Sequence, residues 1–276
     1  MKWIQFRFAP VSVEYKLQHG SLQKGFIAVR DYGNFVRRLH GLSLPNLELD
    51  TLGEVNGCPI YRLVFGSVSH VKCKVLITAG LHGDEPAGPE AVLQFLHEYD
   101  AARYDNFRFL ILPCINPFGY VHDTRENETG IDLNRVFEVD NPPEEARLVK
   151  SAVAGERFDF AIDFHEDWEA EGFYFYEGRK SENWVGPEVI KNVESVCPID
   201  WDNDENDLPI ADAVFRVDPA WGQEGFTPYL LAFHSDHVMI CETPTRLPMR
   251  QRTAAHLKAL ETVTMHYNRA TEQGAR

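Results

Sequence analysis

The sequence lacks any apolar run long enough to cross a membrane. Its longest runs, such as Phe109 to Ile115, fall far short of the roughly 20 residues a spanning helix needs. The opening stretch Met1 to Lys16 lacks the unbroken apolar segment of a secretion signal, so no membrane association and a cytoplasmic location are expected. Cysteine is sparse and odd in number: Cys58, Cys73, Cys114, Cys197 and Cys241, widely spaced and with no CxxC pair. A disulfide framework and a cysteine zinc knuckle are therefore not expected, and buried thiols are. Positive charge is short as well. There are 27 basic against 42 acidic residues, a net charge of −15, which disfavours a nucleic-acid partner. The acidic stretch Asp200 to Asp207 has neither the glycine nor the terminal glutamate of a calcium loop and reads as a solvated surface loop. Internal repeats, low-complexity segments and Pro/Gly/Ser linkers are missing. A single domain over residues 1–276 is expected, with 1–50 as an N-terminal extension packed on it.

What is present is alternation. At 44% apolar residues the chain can bury a substantial core. Helices are expected over Gly25–Leu42, Glu85–Tyr104, Pro142–Gly155 and Arg250–Ala270 from apolar periodicity and from glycine and proline at their ends. Strands are expected at Cys58–Gly66 and His70–Gly80, read as a pair joined by a turn at Ser67 to Ser69. Further strands are expected at Phe107–Ile115, Phe158–Glu166 and His237–Thr243. The order predicts an α/β fold: a mixed, mostly parallel central sheet flanked by helices on both faces. Ligands of such sheets bind beyond the strand ends, so polar residues that follow apolar runs matter most.

Four strands end that way. One ends in "GLHGDEPAG", with His82 and Glu85. A second runs into "NPFGYVHDTRENETGIDLNR", with Arg125, Asp132, Asn134 and Arg135. A third carries His165 in "DFHE", and a fourth Glu242 in "CETPT". Two histidines and a carboxylate with one open position form a common ligand set for a catalytic zinc ion. HExxH does not occur, which rules out a helix-borne protease site. Adjacent Asn134 and Arg135 could fork onto a carboxylate, and a second arginine could stabilise charge on a carbonyl oxygen. A carboxylate at the end of a buried strand, such as Glu242, is costly unless paired or functional. Each of these residues also has an ordinary structural reading when taken alone.

Taken together, the residues resemble the zinc carboxypeptidases, whose wider superfamily includes aspartoacylase and succinylglutamate desuccinylase. The similarity runs from about Cys58 to Pro244. It implies one zinc ion held by His82, Glu85 and His165, with Asp132 supporting a zinc-binding histidine and Asp163 a weaker candidate for that role. It further implies Glu242 as general base, Arg125 at the oxyanion, and Asn134 and Arg135 on the substrate carboxylate. Tyr229 is the nearest match to a lid tyrosine. Digestive carboxypeptidases carry an arginine between the first histidine and the glutamate. Gly83 and Asp84 stand there in this sequence, closer to the deacylase branch and its bacterial relatives.

The expected activity is hydrolysis of an amide bond beside a free carboxylate, in a small peptide. An N-acyl amino acid deacylase is the alternative, and a catalytically inactive binding module a remote one. The segment Glu171 to Gly222, with Trp184, Trp201 and Trp221, is a possible cover for the site or ordinary packing. Sequence offers nothing on oligomeric state.

Overall fold

The computed structural model describes residues 30–181, 183–202, 208–217 and 225–272. In chain order the elements are α1 (Tyr32–His40), β1 (Glu48–Val55), β2 (Cys58–Gly66), β3 (Cys73–Ala79), α2 (Ala87–His97), β4 (Phe107–Leu112), α3 (Pro117–His122), a short 3-10 turn (Leu133–Arg135), α4 (Glu144–Val153), β5 (Phe160–Asp167), β6 (Tyr174–Arg179), α5 (Gly186–Val193), β7 (Pro209–Ala211), β8 (Val214–Arg216), α6 (Phe226–Phe233), β9 (His237–Pro244) and α7 (Met249–Glu272). The strands form one sheet in the order β1-β2-β4-β3-β5-β9-β6-β8-β7. The four central strands β4, β3, β5 and β9 run parallel. Antiparallel pairs flank them on both sides.

Alternate residues of the central strands face opposite layers, as the pleat requires. Val75 and Ile77 join the layer built with α1, α2, α5 and α7. Leu76, Leu110 and Leu112 join the layer built with α4 and α6. The expected α/β architecture with helices on both faces is what the chain forms. Aromatic rings dominate one end of the first layer, where Phe65, Phe95, Tyr104, Phe107 and Phe109 meet at centroid distances of 5.2 to 6.3 Å. Such pairs add about 0.5–1.5 kcal/mol each beyond area burial. All five cysteines are buried, and none forms a disulfide.

The expected β2–β3 hairpin does not form. β4 lies between the two strands, antiparallel to β2 and parallel to β3. Gly66 takes a φ of +98° and turns the chain out of β2, and Ser67 N–H then bonds to Phe107 O instead of to β3. Five apolar residues of β4, buried on both faces, require a central place that two adjacent strands would have denied. β1 and the short β6, β7 and β8 extend the sheet beyond what periodicity indicated. Helix α2 stops at His97 instead of continuing to Tyr104, and α1 begins at Tyr32, with residues 25–29 of its expected span outside the described residues.

The chain moves from β3 to β4 on one side, then places β5 on the other side of β3. The strand order therefore reverses at β3–β5, which is where an open α/β sheet forms a cleft beyond its C-terminal strand ends. His82 and Glu85 follow β3, His165 lies near the end of β5, and Glu242 lies near the end of β9.

Behind that cleft His256 of α7 stacks on Phe164 at 4.6 Å, and its Nδ1 is buried without a hydrogen-bond partner. Burial, and then the charge of His165, push its pKa down to about 3. The folded protein keeps this ring neutral, whereas the unfolded chain protonates it below about 6.5. The unfolded state thus binds more protons between those values, and this contribution to stability is full above pH 6.5 and lost as the pH falls. Denaturant titrations from pH 7.5 to 4 should show a decline of up to about 1.4 kcal/mol per pH unit from this group. The decline should be shallower in His256→Leu.

Candidate metal centre and active site

The turn after β3 is shaped by two glycines. Gly80 has a φ of +64°, and at Gly83 an added Cβ would lie 1.9 Å from the carbonyl carbon of Gly119. Gly83 N–H bonds to Arg125 O at 3.4 Å, and the Arg30 guanidinium reaches Gly83 O at 2.9 Å. The turn is thereby pressed against α3 with no space for a side chain. It leaves His82 and Glu85 both buried and facing one point.

There Glu85 meets two imidazoles. His82 Nδ1 lies 2.6 Å from Glu85 Oε1, and His165 Nδ1 lies 2.8 Å from Glu85 Oε2. The far nitrogens face carboxylates too: His82 Nε2 is 3.1 Å from Asp132 Oδ1, and His165 Nε2 is 2.9 Å from Asp163 Oδ2. Asp163 is itself held by the Thr78 hydroxyl at 2.7 Å. Donor atoms of His82, Glu85 and His165 all lie within 4.8 Å of one another.

A neutral imidazole has one N–H, yet each ring meets a carboxylate at both nitrogens. One contact per ring is therefore acceptor against acceptor unless a cation fills it. Two arrangements satisfy this: protonated rings, or a metal ion among the two Nδ1 atoms and Glu85. Burial alone would disfavour the imidazolium of His165, but Asp163 and Glu85 hold its pKa well above the ordinary value. Burial would likewise raise Glu85, but the two histidine charges pull it down. The pattern of Nδ1 toward the centre and Nε2–H toward a carboxylate fits a divalent cation, because the outer carboxylates fix the ring tautomer and raise ligand basicity.

The loop of Arg125 to Arg135 is held by its own polar side chains. Asn116 caps α3 by accepting Gly119 N–H at 2.9 Å and donates to Arg125 O at 3.2 Å. Asn127 Oδ1 accepts from Thr129 and Ile131, and its amide reaches buried Glu145. Asp132 accepts Asn134 N–H at 2.8 Å and Arg125 Nε at 3.2 Å besides facing His82. Burial opposes its charge, but these partners keep its pKa low. Asn134 Oδ1 accepts Phe226 N–H at the start of α6.

Across the sheet, His165 of β5 is in register with Glu242 of β9, and Glu242 with Tyr174 of β6. Glu242 Oε2 is buried without a hydrogen-bond partner. Burial keeps its pKa well above the usual carboxylate range; His165 opposes this, and Glu85, Asp167 and Asp163 add to it. A cavity of about 410 Å³ is lined by His82, Glu85, His165, Glu242, Arg125, Asn134 and Arg135, seven residues singled out from the sequence.

Tyr229 is not part of it. Its ring packs against Phe137 at 5.6 Å under Lys150, and its hydroxyl is taken by His234 Nε2 at 3.1 Å. As part of α6 it points into the apolar layer below the cavity, so the lid role expected for it is corrected. Trp184 and Trp201 do not line the cavity either. Trp184 stacks on the Arg216 guanidinium and Trp201 is exposed, while Trp221 lies outside the described residues. The described part of Glu171–Gly222 builds β6, α5, β7 and β8 at the sheet's edge. His234 and His237 face away from the cavity, His237 toward Glu177 and Tyr267.

The cavity also holds residues that sequence reading missed: Glu166, Asp167, Trp168, Tyr174 and Tyr176. Glu166 is a strut. Its backbone N–H reaches Glu85 Oε2 at 3.2 Å, its side chain accepts Ala87 N–H at 2.6 Å at the start of α2, and it pairs with Arg252 of α7. The signal for Asp167 and Trp168 was their position directly after "DFHE". The signal for Tyr174 was the alternating "FYFY".

A family model described as the succinylglutamate desuccinylase/aspartoacylase catalytic domain matches residues 72–182. The fold is similar to the crystal structure of a candidate metallopeptidase from Shewanella amazonensis, with a TM-score of 0.72 and 26% identity over 84% of this chain and 91% of that one. The fold is that of the zinc carboxypeptidase-like superfamily. The superfamily's fold extends to a metallo-carboxypeptidase from Burkholderia cenocepacia, with a TM-score of 0.66 and 20% identity over 86% of this chain and 68% of that one. It also extends to a metallo-carboxypeptidase from Pseudomonas aeruginosa in complex with (2-guanidinoethylmercapto)succinic acid, with a TM-score of 0.62 and 16% identity over 85% and 67%. No curated protein matches the sequence significantly. No helix among the described residues is long and apolar enough to cross a membrane.

The carboxylates behind the histidines give a test of the centre. Asp163→Asn should weaken divalent-metal binding about 10- to 100-fold by competition with a chromogenic chelator. Gly83→Ala should cost about 3 kcal/mol or more in denaturant unfolding, because backbone and not a side chain occupies the space.

Proposed function

We propose that the protein is a zinc-dependent hydrolase of carboxypeptidase type that cleaves an amide bond beside a free carboxylate. The observation that carries this reading is one cavity lined at once by the His82–Glu85–His165 donor set, the Glu242 carboxylate with its unpartnered Oε2, and the arginines of the 125–135 loop. Two imidazoles and one carboxylate suit zinc among the common divalent ions. When bound, such an ion supplies Lewis-acid activation of water and of the scissile carbonyl.

The remaining steps belong to the chain. Glu242 takes the proton from the attacking water and gives it to the departing amine. A site that disfavours its charge makes it the stronger base. Arg125, anchored by Asp132, offers N–H groups to the oxygen on which negative charge develops. The Asn134 amide, whose oxygen is used by Phe226, keeps its N–H donors for the substrate carboxylate beside the Arg135 guanidinium. The succinic acid carried by the ligand of the Pseudomonas neighbour is in keeping with a carboxylate-bearing substrate.

A second reading, hydrolysis of N-acyl amino acids, rests on the family match over residues 72–182 and on Gly83 and Asp84. Rates on dipeptides measured beside N-acetyl and N-succinyl amino acids separate the two.

Purified protein should carry one zinc per chain by elemental analysis, lose amide hydrolysis on chelation and regain it with zinc. Glu242→Gln should lower kcat by about 100- to 10,000-fold at unchanged metal content. Full activity in that variant with metal bound would overturn the assignment. Arg135→Gln should raise KM about tenfold or more while metal binding is retained.

A further inference from the structure

The cavity has three rows set by strand register. Ile240 and Tyr176 form the inner row, and His165, Glu242 and Tyr174 the middle one. Asp167 lies on the same face of β5 as His165 and two residues further out, about 6.6 Å along the strand. The carboxylate-gripping pair Asn134 and Arg135 sits beside the start of α6, whose residues contact β9 and β6. That pair, the metal ligands, Glu242 and the outer row line one cavity.

The outer row has its own chemistry. Asp167 Oδ2 accepts the Tyr174 hydroxyl at 2.8 Å, and its Oδ1 accepts Glu169 N–H at 2.7 Å. Among the described residues no cation pairs with Asp167, although Glu166 beside it is paired with Arg252. Trp168 follows on the cavity rim and is 77% exposed. Tyr174 and Tyr176 line the cavity with ring centroids 5.6 Å apart, both braced by Phe215. A carboxylate oriented by a phenol and an amide, with the Tyr174 and Trp168 rings on the same cavity wall, attracts a cation through charge and through the ring faces. The same corner repels an anion.

Resting on the hydrolase reading above, we propose that Asp167, Trp168 and Tyr174 form a cation subsite for the acyl side of the scissile bond. The substrate would then be a peptide that carries an ammonium or guanidinium group there. The group is a free amino terminus or a basic side chain. A succinyl or other anionic acyl group would face Asp167 directly and be rejected.

Ligands sharing a C-terminal phenylalanine test this and separate the two sources. Ala-Phe against acetyl-Ala-Phe reads the amino terminus. Acetyl-Lys-Phe against acetyl-norleucyl-Phe reads the side chain, and succinyl-Phe reads the anion. Binding is measured by calorimetry on zinc-loaded Glu242→Gln protein, where turnover is suppressed, and hydrolysis on the zinc-loaded wild type. The cationic member of at least one pair should bind about tenfold tighter or more than its neutral partner, the scale of one ring contact plus one charged hydrogen bond. Succinyl-Phe should bind weakest. Adding Asp167→Asn should bring the cationic-to-neutral ratio close to one. Trp168→Ala, at an exposed position that folding does not depend on, should reduce it. Equal binding within both pairs, tight binding of succinyl-Phe, no binding of either cationic ligand, or a preference that survives Asp167→Asn would overturn the proposal. Cation preference without hydrolysis would leave the subsite standing and remove the hydrolase reading. Hydrolysis without charge preference would do the reverse.

Discussion

A single buried carboxylate organises this protein. Glu85 sits buried between two imidazoles and beneath the Arg125 guanidinium, 3.4 Å from its oxygen. An isolated charge there would be expensive, so its partners must be held in place by something other than its own attraction. They are. Each histidine is fixed from behind by an aspartate, one of them anchored by a threonine and the other by an arginine and a backbone amide. The centre is thus charge-balanced only with cations in it, either protonated rings or a bound metal ion.

That requirement propagates outward through the fold. Glu85 sits just ahead of α2, and the first residues of α2 are capped by Glu166, whose own backbone amide supports Glu85. Arg252 extends the tie to α7. The end of β5, the start of α2 and the start of α7 are thereby joined by polar bonds at the one place where apolar packing is interrupted. Layers of aromatic and aliphatic side chains on both sheet faces give the stability against which such a costly centre can be maintained. The flanking loop is stiffened by side chains bonding to nearby backbone, so a long segment without regular structure still presents Arg125 and Asn134 in fixed positions.

Much of this was legible in the sequence, for identifiable reasons. The central strands announced themselves as apolar runs, and the site residues followed from the rule that polar residues after such runs converge. The β2–β4–β3 order was not legible, since short strands with a short connection read as a hairpin whichever neighbour they take. β1 could have been found: Asn56 and Gly57 both adopt positive φ between β1 and β2, and Asn-Gly between two extended segments is a strong turn signal. Tyr229 misled because sequence distance from Glu242 carries no information on which face of α6 it occupies. The alternating "FYFY" marked Tyr174 as a strand residue, but its place beside Glu242 comes from antiparallel pairing across the sheet, which the alternation does not record.

The same geometry explains why the turn between His82 and Glu85 contributes no substrate-binding cation. A side chain at 83 would run into the α3 backbone, and position 84 holds an exposed acid. Burial of part of Asp84 and then the adjacent Glu85 charge raise its pKa, opposed by His82 and Arg125. In the hydrolase proposed above, this second acid beside Glu85 repels a substrate carboxylate from that side. The arginines that line the cavity come from the 125–135 loop, so the same proposal has a substrate carboxylate drawn there and the cationic end of the substrate drawn toward Asp167. A charge asymmetry of that kind orients a substrate before any contact at the scissile bond is made.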